Sequence, residues 1–333
     1  MTKPRVFITR LILDQGLRLV QEFCEADVWP EELPPSPEIL RKRVHGVAGL
    51  LCLLTDRIDR DVLEAAGETL RVISNHAVGV DNVDIAAATA RGIPVGNTPD
   101  ILTDATADLT FALLMAAARR LVEGVHFVQA GRWKTWSPAL LLGADVRGAT
   151  LGIVGFGRIG RAVAKRAAGF DMRVLFTDPG PIENDGQLPA VRVDLDSLLH
   201  QSDFVSLHCP LTDATHHLID QAAFEKMKPE AVLVNTSRGG VVDPQALYLA
   251  LKTRRISAAA LDVTDPEPLP MDSPLLGLDN LIIVPHIASA SRSTREKMSL
   301  MAAENLIAGL KGEHLPHCVN EEVYRSAAGA AAT

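Results

Sequence analysis

Short runs of apolar and β-branched residues alternate along the chain with longer segments whose apolar positions recur every three or four residues. Period two predicts strands and period 3.6 predicts helices. In the first third, "RVFIT", "GLLCLL", "RVISN" and "IPV" have strand character. Between them lie helix-like segments such as "ILDQGLRLVQEF" and "VDIAAATARG". A single long helix is predicted from about Thr103 to Ala130 around the apolar face of "LTFALLMAAARRL". After "DVRGA" the alternation restarts with "TLGIVGFG", "RVLFT", "FVSLHCP", "AVLVNTS", "ISAAALDV" and "LIIVPH". Helices such as "GRIGRAVAKRAAGF" and "DPQALYLALK" separate these runs, and a last helix is predicted from about Ser291 to Lys311. Strands alternating with helices imply a mostly parallel sheet covered on both faces.

The restart implies two such units, in line with about 150 residues per domain for a chain of 333 residues. The expected fold is α/β, with two doubly wound, parallel-sheet, Rossmann-like domains and a cleft between them. If the last helix returns to the first unit, that unit is discontinuous. The expected division is then residues 1–100 plus 288–333 for one unit and 101–287 for the other. The pattern alone does not prove the return. The tail "SAAGAAAT" is expected to be frayed.

Composition narrows the function classes. Hydrophobic residues make up 47% and charged residues 22%, which excludes a disordered chain. Net charge is -8 with scattered basic residues, so the footprint of a nucleic-acid binder is missing. No apolar run of roughly 18 residues suggests a membrane span, and the first residues show no secretory pattern. Cys24, Cys52, Cys209 and Cys318 lie far apart with no C-x-x-C pair. They argue against a disulfide framework or zinc cage and fit a reducing cytoplasm.

One motif changes the picture. "LGIVGFGRIGRAVA" carries Gly155, Gly157 and Gly160 as G-x-G-x-x-G after a strand and at the start of a helix. The first glycine permits the turn, the second lets the backbone approach a pyrophosphate, and the third lets helix and strand pack closely. The helix N-terminus faces the anion. Asp178 ends the next strand, eighteen residues beyond Gly160, where a carboxylate takes ribose hydroxyls. It would repel a 2′-phosphate, which favours NADH, while Arg158 nearby keeps NADPH possible.

Three further strand ends deliver chemistry. "VLVNTSRGGVVD" places Arg238 before two glycines, where a guanidinium can grip a carboxylate through two parallel bonds. "ALDVTDPEP" delivers Asp262 and Glu267, and "VPHIAS" delivers His286. An imidazole beside a carboxylate is oriented and poised for proton transfer. Singly, each has a blander explanation: a surface charge, an exposed turn residue, a helix cap. Beside a dinucleotide loop they supply the parts needed to reduce a 2-keto acid.

"VGFGRIG", "NTSRGGVVD", "LDVTDPEPLP" and "LIIVPHIAS", together with "HAVGVDNVD", "ARGIPVGNTPDILTDATADL" and "AGRWKTW", resemble the D-2-hydroxyacid dehydrogenase family. The likeness is closest to its glyoxylate/hydroxypyruvate reductase branch and runs from about Val47 to Pro316. It implies hydride transfer from NAD(P)H to a small 2-keto acid in a homodimer. Arg238 would clamp the substrate carboxylate. His286 would be the acid/base with Glu267 as its partner, and Asp262 would meet the nicotinamide carboxamide. The backbone of Val78 and Gly79, with Asn97 and Trp136, would contact substrate. Ile159, Thr236, His286 and Ala288 would join the cofactor-binding set, and His208, Cys209 and Pro210 would flank the adenine side. Trp133 and Trp136 fit either a subunit interface or ordinary packing. His216 and His217, read as helical neighbours, would point apart, so no metal is expected. A D-lactate-type enzyme and an NAD-sensing, corepressor-like scaffold remain as alternatives. The scaffold would need long flanking segments that the sequence does not show, and the regulatory extension of long 3-phosphoglycerate dehydrogenases is not expected either.

Overall fold

The computed structural model describes residues 2–181 and 188–325, so the tail expected to fray lies outside the described residues. The chain divides into two compact units, residues 1–102 with 290–333 and residues 103–289.

In the discontinuous unit the first strand β1 (Arg5–Ile8) is followed by α1 (Asp14–Phe23), β2 (Glu25–Val28), α2 (Pro37–Val44), β3 (Gly49–Cys52) and α3 (Arg60–Ala66). Then come β4 (Val72–Asn75), α4 (Ile85–Ala90) and the two-residue β5 (Val95–Gly96). All strands run parallel in the order β2-β1-β3-β4-β5. The short β2 leaves no mark in the sequence because it is an edge strand with no buried residue. The last helix of the chain, α11 (Arg292–Lys311), belongs to this unit. Its Ala302, Ala303, Leu306 and Leu310 share a core with Val6, Ile8, Leu51 and Val72. Gly16 of α1 lets that helix approach, since a Cβ there would lie 2.2 Å from the Ser299 carbonyl oxygen. Ser291 caps α11 by accepting the Thr294 N–H. The opposite face is closed by Leu40, Val44, Val62, Leu63 and Ala88 from α2, α3 and α4.

The contiguous unit opens with α5 (Thr103–Ala118) and α6 (Leu121–Gln129). The sequence pattern predicts a single helix through Ala130, and the structure corrects this. Arg120 adopts left-handed φ +51°. The Ala118 carbonyl accepts the N–H of Ala144 instead of continuing the helical ladder. Gly143 permits that approach, because a Cβ would lie 2.2 Å from the same oxygen. The sheet follows with β6 (Thr150–Val154), α7 (Arg158–Ala167), β7 (Arg173–Thr177), β8 (Ala190–Arg192), α8 (Leu195–Gln201) and β9 (Phe204–Leu207). It is completed by α9 (Gln221–Lys226), β10 (Val232–Asn235), α10 (Pro244–Lys252), β11 (Ala258–Leu261) and β12 (Leu281–Ile283). The order is β12-β11-β10-β9-β6-β7-β8, all parallel. The direction of winding reverses between β6 and β9, and ligands of open α/β sheets bind beyond strand ends at such a switch point. The four central strands β9, β10, β11 and β6 are almost wholly buried, which explains their unbroken apolar runs.

Candidate active site

The glycine-rich turn lies at that switch point. Gly155 has φ +87°, and a Cβ on it would sit 2.5 Å from the Cys209 nitrogen, so the turns after β6 and β9 touch. A Cβ on Gly160 would strike the Gly155 carbonyl at 2.2 Å. A Cβ on Gly157, the N-cap of α7, would by contrast meet nothing among the described residues within 4 Å. An open glycine at a helix N-terminus is what a pyrophosphate requires, so the residues present fit a dinucleotide.

Asp178 braces this turn. One carboxylate oxygen accepts the Phe156 N–H at 2.8 Å and the other accepts the Gly180 N–H at 2.9 Å. Its backbone carbonyl accepts a bond from Arg192. Arg158 and Ile159 open α7, and Pro210 is exposed after Cys209. His208 donates to or accepts from Ser206 Oγ through Nε2 at 2.8 Å, while its Nδ1 is buried without a partner among the described residues. Burial lowers its pKa to about 3, so the ring is a neutral imidazole. Thr236 is buried and shares a hydrogen bond with Thr110 of α5 at 2.9 Å.

Three neighbouring strand ends are linked through backbone. The Asp262 N–H donates to the Asn235 carbonyl at 2.8 Å, and the His286 N–H donates to the Asp262 carbonyl at 2.9 Å. Asn235 also organises its own turn. Its Oδ1 accepts from Ser237 N–H and Oγ, and its Nδ2 donates to the Arg238 carbonyl. The Arg238 guanidinium is half-buried and donates to the Ser237 carbonyl. Asn235 is a residue that the sequence reading does not single out. The signal available is a polar residue closing an apolar strand, which is costly unless hydrogen-bonded.

His286 and Glu267 meet directly, with Nδ1 to Oε1 at 2.6 Å and side chains 23% and 33% exposed. Burial pushes the Glu267 carboxyl up. The hydrogen bond and charge of His286, the Thr264 N–H and the positive Arg238 outweigh it and leave the carboxyl below its ordinary range. Asp262 is buried, and burial raises its carboxyl against the Ile287 and Ala288 N–H groups and His286, with Glu267 adding to the rise. Those N–H groups reach its two oxygens at 2.6 and 2.9 Å.

The remaining expected residues are placed as follows. In the discontinuous unit, Asn97 Nδ2 donates to the Val78 carbonyl at 2.8 Å and Asn75 Nδ2 to the Gly79 carbonyl at 3.0 Å. The turns after β4 and β5 are therefore joined, at the carboxyl ends of their strands. Trp133 and Trp136 are 61% and 79% exposed, and Leu121, Val122, Val125 and Val128 of α6 are exposed too, so the tryptophans are not core residues of this chain. His216 and His217 lie in a turn rather than a helix, and their rings stack at 3.9 Å. The premise that they point apart therefore fails.

Parallel strand ends that carry a glycine-rich turn, a carboxylate-paired histidine and an arginine are of the kind that a nicotinamide-dependent dehydrogenase uses. Residues 111–288 match the NAD-binding domain of the D-isomer-specific 2-hydroxyacid dehydrogenases. A glyoxylate reductase of Korarchaeum cryptofilum is 53% identical, across 97% of this chain and 98% of that one. A solved protein of Thermus thermophilus superposes with a TM-score of 0.89 at 49% identity, covering 95% of this chain and 99% of that one. An NADPH-dependent glyoxylate/hydroxypyruvate reductase of Sinorhizobium meliloti, solved with NADP and malonate, has a TM-score of 0.83 at 30% identity, with coverage of 96% and 97%. The chain belongs to the D-isomer-specific 2-hydroxyacid dehydrogenase family and is an NAD(P)-dependent oxidoreductase.

Proposed function

We propose that this protein reduces glyoxylate and hydroxypyruvate to the corresponding 2-hydroxy acids, with NADH preferred over NADPH. The observation that carries the chemistry is the 2.6 Å contact of His286 with Glu267 at the carboxyl ends of the sheet that also bears the glycine-rich turn. The names of the similar proteins support the choice of keto acid.

When bound, the nicotinamide supplies the hydride. Gly155, Gly157 and Gly160 cradle the pyrophosphate, with Arg158 and Ile159 at the helix start and Asp178 toward the ribose. His208, Cys209 and Pro210 flank the adenine side, Thr236 and Ala288 line the site, and Asp262 offers a carboxylate to the carboxamide. Arg238 holds the substrate carboxylate through charge-assisted bonds, and Val78, Gly79, Asn97 and Trp136 contribute to substrate binding. His286 gives a proton to the substrate carbonyl oxygen, and Glu267 keeps the ring oriented. The exposed apolar set on α6 with Trp133 and Trp136 supports a homodimer, since such patches mark protein contacts. The free thiols Cys24, Cys52, Cys209 and Cys318 support a reducing, cytoplasmic setting. No helix among the described residues is long and apolar enough to cross a membrane, and nothing in the charge pattern favours nucleic acid.

The test follows nicotinamide absorbance with NADH or NADPH on adding glyoxylate, hydroxypyruvate, pyruvate or phenylpyruvate. Fast oxidation of NADH with the first two is the expected result. Pyruvate as the best substrate would turn the reading to a D-lactate-type enzyme. NADH binding without turnover would turn it to a sensing scaffold.

A further inference from the structure

We propose that His216, His217 and Asp265 form a binding site for a divalent transition-metal ion of the zinc type. One ligand atom from each lies within 4.8 Å of the other two. Their side chains make no hydrogen bond or ion pair among the described residues, so three good donors converge with nothing to satisfy them but solvent or a cation. Two imidazoles and a carboxylate, with a solvent position left over, are a donor set that suits zinc and its neighbours.

The backbone holds this arrangement before any ion arrives. The turn is closed by His216 N–H to the Thr212 carbonyl at 2.8 Å and by Thr215 Oγ1 to the Pro210 carbonyl at 2.6 Å. His217 has φ +51°, a left-handed conformation that costs a non-glycine residue energy. That conformation brings the two rings face to face at 3.9 Å with an interplanar angle of 22°. The His217 N–H donates to the Gly240 carbonyl at 2.8 Å, which pins the turn to the loop after Arg238. On the other side, a Cβ on Gly240 would lie 3.6 Å from an Asp265 carboxylate oxygen. Metal–nitrogen bonds of about 2.0–2.1 Å, with the ion in the plane of each ring, require the donors to draw together and the rings to turn out of their stack. The exposed His216 has the freedom to supply that movement.

Asp265 is two residues from Glu267. A cation on Asp265 would tie the turn of Glu267 to the turn of His217, and through Gly240 to the loop of Arg238. Its effect would be to slow turnover by restraining those groups. That effect rests on the roles proposed above for Glu267 and Arg238, whereas the binding itself does not.

The experiment titrates the full-length protein, freed of metal by chelator and dialysis, with Co2+ and then Zn2+. Visible absorption reports Co2+ ligation, and calorimetry reports stoichiometry. One equivalent per chain without thiolate charge-transfer bands is expected. His217→Ala and Asp265→Asn should weaken binding by more than the roughly tenfold to hundredfold lost when only a group behind a ligand is removed. His216→Ala should do the same and, with chelator present, should keep the turnover of the parent. Absence of binding, thiolate bands, or unchanged affinity in all three variants would overturn the site. Binding at the site with unchanged turnover would overturn the restraint on Glu267 and Arg238.

Discussion

Asp262 holds the turn that carries His286 by three backbone groups at once. Its carbonyl accepts the His286 N–H, and its two carboxylate oxygens accept the N–H groups of Ile287 and Ala288. His286 itself sits at φ +53°. A left-handed conformation at a non-glycine residue persists only where surrounding bonds over-determine it, and Asp262 provides them.

Asp262→Asn should therefore destabilise the fold. An amide can accept only one of the two N–H groups and presents its own donor to the other. Leaving a buried donor unmatched costs about 1–3 kcal/mol. The urea midpoint should fall accordingly, and an unchanged midpoint would show that the turn forms without the second acceptor.

His286→Gln should remove the proton donor. The expected loss in kcat is roughly 10²–10⁴-fold, the usual worth of a positioned acid. NADH binding, read by fluorescence titration, should persist. Near-full turnover would exclude His286 from the chemical step.

Glu267→Gln should act on stability with a definite pH dependence. The folded-state pKa of Glu267 lies below its ordinary value. Its contribution is therefore present above the unfolded pKa and is lost as pH falls through the folded one. The gap in Tm between parent and variant should be full at neutral pH and close in acid. It should correspond to under about 1 kcal/mol, since the pair is partly exposed. A gap in Tm that stays open in acid would show that Glu267 is not held ionised by its contact with His286.

Arg238→Lys keeps the charge and loses the fork. KM for glyoxylate should rise roughly 10- to 100-fold, the loss of about one charge-assisted hydrogen bond. NADH affinity should hold. A matching loss of NADH affinity would place Arg238 on the cofactor instead.

Asp178→Ser should shift the choice of nicotinamide. The ratio of kcat/KM with NADH to that with NADPH should fall by about tenfold, again one hydrogen bond to a charged group. The Phe156 N–H would also lose its acceptor, so some loss with both cofactors is expected. An unchanged ratio would mean that Asp178 serves the turn alone.

Much of this architecture can be read directly from the chain. Central strands such as "AVLVNTS" are buried on both faces and stand out as apolar runs. Gly155, Gly157 and Gly160 declare their turn by spacing. What escapes the sequence depends on distant partners. The break at Arg120 needs Gly143 and Ala144 to reach the Ala118 carbonyl, and no local pattern carries that. The edge strand β2 has too little burial to show a period. Asn235 looks like the polar end of a strand until its bonds to Ser237 and Arg238 are seen. His216 and His217 read as helical neighbours because a left-handed residue is invisible in an amino-acid string.

The placement of α11 has a consequence for how the molecule is made. Residues 103–289 are contiguous and can close their core as soon as they leave the ribosome. The first unit cannot, because Ala302, Leu306 and Leu310 complete the core beneath Val6, Ile8 and Val72. At about 5–20 residues per second, the first hundred residues wait on the order of 10–40 s for that helix. During that interval one face of their sheet stays uncovered, so the earliest part of the chain to be synthesised is the last to become stable.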